Sequence, residues 1–136
     1  MSDTAEPRAA AAALLDAWPY ARFLGVRLEP GTGGPVAVLP YADKLIGNPI
    51  LPALHGGVVA SFLELAALAR LDAEGRRART IDITVDYLHP ARPLTFYAEA
   101  RILKLGRRAA NLAVEAWQED RANPVAALRG HFLILG

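Results

Sequence analysis

Residues 55–74 read HGGVVASFLELAALARLDAE, and no glycine or proline interrupts them between Val58 and Glu74. Alanine and leucine dominate the run, so intrinsic propensity favours a helix from Val58 to Glu74, closed by Gly75. At 100° per residue Val58, Val59, Phe62, Leu63, Leu65, Ala66, Ala67 and Leu68 point in every direction. A helix without a polar face must be wrapped by the rest of its own chain. Downstream, four extended runs rich in β-branched and aromatic residues are able to do this: Thr80–Leu88, Leu94–Leu105, Ala109–Gln118 and Val125–Leu135. In the first of them Ile81, Ile83, Val85 and Tyr87 alternate with Asp82, Thr84 and Asp86.

Upstream, two shorter strands are expected at Val26–Glu29 and Val36–Leu39, separated by a turn rich in glycine and proline. Ala9–Trp18 reads as a short helix stopped by Pro19, and residues 1–8 as a loose polar segment. Residues 40–54 hold Pro40, Gly47, Pro49 and Pro52, which predicts a structured loop without regular elements. The order is then helix, two strands, loop, buried helix, four strands: α+β, with one antiparallel sheet curled around a central helix. Strands and helices do not alternate, which excludes a doubly wound parallel sheet. Such a sheet leaves edges, and pairing two copies would cover them.

Composition narrows the function. The 136 residues, 53% apolar and 21% charged, suit one globular domain spanning 1–136. Fifteen Lys and Arg against fourteen Asp and Glu give a net charge of +1, so nothing predicts a nucleic-acid partner. With no cysteine, thiolate metal sites and cysteine nucleophiles are excluded, and His55, His89 and His131 are too scattered to predict a histidine zinc site. No run is long and apolar enough for a bilayer span, so a cytoplasmic protein without membrane attachment or bound cofactor is expected.

The chemistry concentrates around the long helix. Gly56 and Gly57 leave backbone N–H groups accessible at the positive end of its dipole, which suits a polarised oxygen. A tight turn would use the same glycines. Glu64 is a carboxylate inside an apolar helix, and burying it unpaired costs several kcal/mol. It is read either as an ion-pair partner, for Arg70 or for an arginine on a strand, or as a catalytic base or nucleophile. Seven residues separate Gly57 from Glu64, about 10 Å along the axis, so one reacting carbonyl cannot touch both in one subunit. If both serve one site, that site lies between two subunits.

His55-Gly56-Gly57 with Glu64 nine positions after the histidine, followed by Ala66 and Ala67, resembles the hotdog-fold acyl-CoA thioesterases, in the branch related to the phenylacetate-pathway thioesterase. Residues 19–25 (PYARFLG), 80–91 (TIDITVDYLHPA) and 105–108 (LGRR) extend the likeness. The resemblance implies a hotdog fold and hydrolysis of an acyl-CoA in a homodimer or dimer of dimers, with coenzyme A as part of the substrate. It implies Glu64 as catalytic carboxylate, Gly57 N–H as polarising donor, His55 as orienting group, Thr80 beside Glu64, and Asn48 as the polar residue ahead of the histidine. Gly56, His89, Pro90, Arg107 and Arg108 are implied substrate contacts, the arginines facing the coenzyme phosphates. The chain departs from the family pattern where Asn48 stands seven residues before His55 and Pro52 three before it. A dehydratase would need a histidine near Ile50, where none stands. The alternative outside catalysis is an acyl-CoA-binding or sensing protein that has lost hydrolysis.

Overall fold

The computed structural model describes residues 18–48, 50 and 53–136, with Asn48 by its backbone alone. The expected helix over Ala9–Trp18 and the loose segment 1–8 lie outside the described residues, apart from Trp18 at their boundary.

Pro19 begins a helix. Helix α1 (Pro19–Leu24) carries Pro19 in its first turn and closes on Gly25, whose φ of 83° is the left-handed conformation that a glycine tolerates best. Strands β1 (Arg27–Glu29) and β2 (Val36–Leu39) follow as a hairpin. The segment read as a loop is more regular than its prolines suggest. A 3-10 turn (Asp43–Leu45) leads into a small ribbon of β3 (Ile46–Asn48) and β4 (Ala53–Leu54). In sequence, Pro49 and Pro52 fall between the two strands. Gly47 is indispensable here, because a Cβ at this position would stand 2.9 Å from the Cα of His55. The ribbon therefore presses directly on the start of the long helix.

That helix, α2 (Gly56–Ala73), begins two residues earlier than propensity predicts because His55 caps it. It packs on β2 and on the four long strands: β5 (Ala78–Tyr87), β6 (Phe96–Leu105), β7 (Ala109–Trp117) and β8 (Ala126–Ile134). All neighbours in the sheet run antiparallel, in the order β1-β2-β6-β7-β8-β5. This is the helix-in-sheet arrangement expected of α+β. Phe62 and Phe132 are wholly buried, and Phe62 packs on Phe96 with ring centroids 5.3 Å apart. Ser61, Glu64, Leu68 and Asp72 are only half-buried and, three to four residues apart, form one line along α2.

Two features of β5 position the site. It is an edge strand ten residues long, whereas the opposite edge, β1, has three. A β-bulge between Thr80 and Asp82 also breaks the alternation read from the sequence. Pairing runs Thr80 to Phe132 and then Asp82 to His131, leaving Ile81 unpaired and 56% exposed. Because a slip of one residue exchanges the faces of a strand, the bulge turns Thr80 instead of Ile81 toward the helix.

Candidate functional site

Glu64 sits midway along α2, and Thr80 Oγ1 on β5 donates to its Oε2 at 2.6 Å. The expected neighbour is thus in contact, and the bulge is the reason. Arg70 does not neutralise Glu64, since its ion pair is made with Glu74 one turn later. The carboxylate is held by one hydroxyl, with a second oxygen left to act on a substrate or on water. On the sheet, Thr80 is joined through Phe132 and Ala110 to Leu105, which stands just before the turn carrying Arg107 and Arg108. Both arginines are exposed, and Arg76 tethers their turn by donating to the Arg107 carbonyl at 3.3 Å. One end of the sheet therefore gathers Glu64, Thr80 and these cations.

The start of α2 belongs to the other end. His55 Nδ1 accepts from Gly57 N–H at 2.9 Å, so the ring carries no proton on Nδ1 in this arrangement. The expectation of an open Gly57 amide is not met: the cap occupies it. The open amide is that of Gly56. The His55 carbonyl accepts from Val58 and Val59 at 2.9 and 3.1 Å, and in a planar trans peptide the Gly56 N–H points the opposite way, out of the helix start. No described residue accepts it. His55 is itself held by its own N–H, which donates to the Leu45 carbonyl at 2.9 Å.

Beside Gly56 lies a cavity of about 310 Å³, lined by Leu54, Val59, Tyr87, His89, Pro90 and Val125 among others. Its lining is predominantly apolar. His89 and Pro90 therefore share this cavity with Gly56, and the Leu88 and His89 amides both donate to the Val125 carbonyl. Tyr87 is the residue that sequence reading missed: its hydroxyl donates to the Gly56 carbonyl at 2.8 Å. Its position at the end of an alternating strand marked it only as a packing residue. Among the large aromatics, Phe62 and Phe132 fill the core, while Tyr97 and Trp117 stack together with Arg121 over Trp117. None of the four lines this cavity. Asn48 ends β3 opposite Ala53, and its side chain lies outside the described residues.

His131 pairs with Asp82 at 2.7 Å on exposed positions of β8 and β5. Among the described residues no three His, Asp or Glu side chains cluster to hold a metal ion. No described helix is long and apolar enough to cross a membrane.

The predicted site residues thus fall into two groups. Seven residues of β5 separate Thr80 from Tyr87, about 20 Å of strand, and Gly57 and Glu64 are about 10 Å apart along α2. Neither distance lets one small reacting group touch both within one chain.

Comparison with known proteins gives the arrangement a context. The profile of the thioesterase superfamily matches residues 51–125. Medium/long-chain acyl-CoA thioesterase YigI of Salmonella typhimurium is 33% identical over 121 residues, covering 76% of this chain and 77% of that protein. A solved structure from Chromobacterium violaceum is 37% identical with a TM-score of 0.73, covering 95% of this chain and 92% of that one. The E. coli PaaI protein from the phenylacetic acid degradation operon superposes with a TM-score of 0.84 at 22% identity, over 99% of this chain and 97% of that one. At that identity it attests the shared fold.

Proposed function

The chain belongs to the thioesterase superfamily, and from that premise we propose that it hydrolyses acyl-CoA thioesters to a free acid and coenzyme A. The observation that carries this reading is the Glu64–Thr80 contact: a carboxylate on an otherwise apolar helix, oriented by one hydroxyl and free of any described cation. Through its second oxygen Glu64 takes a proton from water as the water oxygen bonds to the thioester carbon. The tetrahedral oxyanion then collapses, the carbon–sulfur bond breaks, and the proton passes to the coenzyme thiolate. Direct attack by Glu64, forming an anhydride that water cleaves, uses the same atoms. The oxyanion is received at the start of α2, where the Gly56 N–H stands open and the helix dipole favours negative charge.

The separation of the two groups supports a site shared between two copies. β5 is the long edge strand, and antiparallel pairing of two such strands about a twofold axis sets the Thr80 end of each against the Tyr87 end of the other. Glu64 of one subunit then faces the partner subunit's Gly56. In this arrangement Arg107 and Arg108 meet the coenzyme phosphates as bidentate donors. His89 and Pro90 flank the apolar cavity that receives part of the substrate, and Asn48 assists near the helix start. The named activity of the Salmonella relative and the mainly apolar cavity both favour medium or long acyl chains.

Thiol release from a panel of short, medium, long and aromatic acyl-CoAs tests the proposal, and the absence of cysteine removes any protein thiol background. Turnover by the wild type that Glu64→Ala abolishes is expected. Saturable acyl-CoA binding without turnover would replace the enzyme with the binding or sensing alternative.

A further inference from the structure

The Gly56–Gly57 peptide is held on both edges by side chains from different parts of the chain. Its carbonyl accepts from the Tyr87 hydroxyl on β5 at 2.8 Å, and its N–H donates to His55 Nδ1 in the helix cap at 2.9 Å. A peptide group is planar, so two hydrogen bonds on opposite edges fix its rotation. Two successive glycines restrict φ and ψ least and sit in the first turn of a helix, so these side-chain bonds add restraint beyond what the helix ladder gives the Gly56 carbonyl.

We propose that Tyr87 is a positioning residue for catalysis, whose hydroxyl, together with the His55 cap, clamps the Gly56–Gly57 peptide so that the adjoining Gly56 N–H stays aimed at the developing oxyanion. The kinetic part of this inference rests on the thioesterase reading; the clamp itself does not. Three observations carry it. The ring lies against Gly56, where an added Cβ would meet the hydroxyl at 3.6 Å and ring carbons at 3.8 Å. Its hydroxyl is spent on the Gly56 carbonyl, so the ring is what it offers the apolar cavity that it also lines. And the residue, 56% exposed in the single chain, ends the strand at which the two copies are proposed to meet, so its hydroxyl sets the direction of a backbone group beside the shared site. An oxyanion donor acts through pre-set direction, so a peptide free to rock loses rate even while substrate still binds.

The test is Tyr87→Phe, which removes the oxygen and keeps the ring. Amide hydrogen exchange at Gly57, followed by NMR, reads the clamp without reference to activity, and steady-state hydrolysis of the best acyl-CoA substrate reads its consequence. Gly57 exchange is expected to quicken by about 5- to 10-fold, with kcat reduced by about 5- to 10-fold, the loss of one ordinary hydrogen bond. KM should stay within about twofold, since ground-state binding is untouched, and Tm within about 3 °C. Unchanged Gly57 exchange would overturn the clamp. Faster exchange with unaltered kcat, or a loss expressed wholly in KM, would overturn the positioning role. If the wild type hydrolyses no acyl-CoA, the thioesterase reading fails, while the exchange measurement still decides the clamp.

Discussion

At the start of α2 the polar group open to the site is one backbone amide, that of Gly56, whereas two turns further along the same helix there is one side chain, Glu64. The two regions depend on their surroundings in different ways. A carboxylate reaches from the backbone and needs only a local restraint, and Thr80 supplies it with one bond of 2.6 Å. A backbone N–H cannot reach. Its direction follows the peptides around it, which here are fixed by Leu45, His55 and Tyr87 and by the close approach of Gly47. The helix middle should therefore be sensitive at two positions, and the helix start sensitive to residues throughout the β3–β4 ribbon and the end of β5.

That contrast sets how each region breaks. Glu64→Ala is expected to have the largest effect, lowering kcat by about 10²- to 10⁴-fold while circular dichroism and melting show an intact fold, since the substitution removes a half-buried charge. Gly47→Ala comes next, although it lies outside the site. Its methyl would meet backbone at 2.9 Å, so the ribbon or the helix start must shift, and chemical denaturation should show a loss of about 1–3 kcal/mol together with reduced turnover. Thr80→Val should lower kcat by about 10-fold by freeing the Glu64 carboxylate, and Thr80→Ser should restore most of it. A loss that serine does not relieve would make Thr80 a packing residue.

His55→Ala removes the helix cap and should cost about 1 kcal/mol in denaturant melts. It also exposes the Gly57 amide, so it sharpens the comparison: if turnover rises, Gly57 is the better oxyanion donor and the cap restrains it. The smallest effect concerns Asp72, on the half-buried line of α2 that also carries Glu64. Desolvation holds its carboxyl above the ordinary carboxylate value. The folded state then binds the proton more tightly than the unfolded one, so this group's contribution to stability falls as pH rises from the ordinary value through the raised one. Asp72→Asn should flatten that slope slightly, as measured by melting temperature against pH.

Much of the site was legible because it violates local expectation. A carboxylate within an apolar helix and a glycine pair before it are both anomalies on a short stretch of chain, and they single out Glu64 and the Gly56–Gly57 pair. Which amide is open was misjudged, since His55 caps Gly57, and His55 itself was legible only through family likeness. Thr80 was legible only through family likeness; by alternation alone it falls on the outer face, and the unpaired Ile81 reverses that. Tyr87 carried no signal, since the hydroxyl that meets Gly56 comes from 31 residues away. Pro19 was read only as a stop for a helix that lies outside the described residues; it also begins one, a role proline suits because its fixed φ fits the first turn.

What the amino-acid order determined by itself is what neighbours along the chain decide: a long helix with no polar face, four extended runs to wrap it, and a charge and a glycine pair at fixed spacing on that helix. Those features follow from propensity and periodicity, which act over a few residues. The tertiary structure decided the rest: the bulge that turns Thr80 onto Glu64, the ribbon that seats His55, and the tyrosine and histidine that hold one peptide between them. Each is a contact between distant segments, and its geometry exists only once the sheet has closed around the helix.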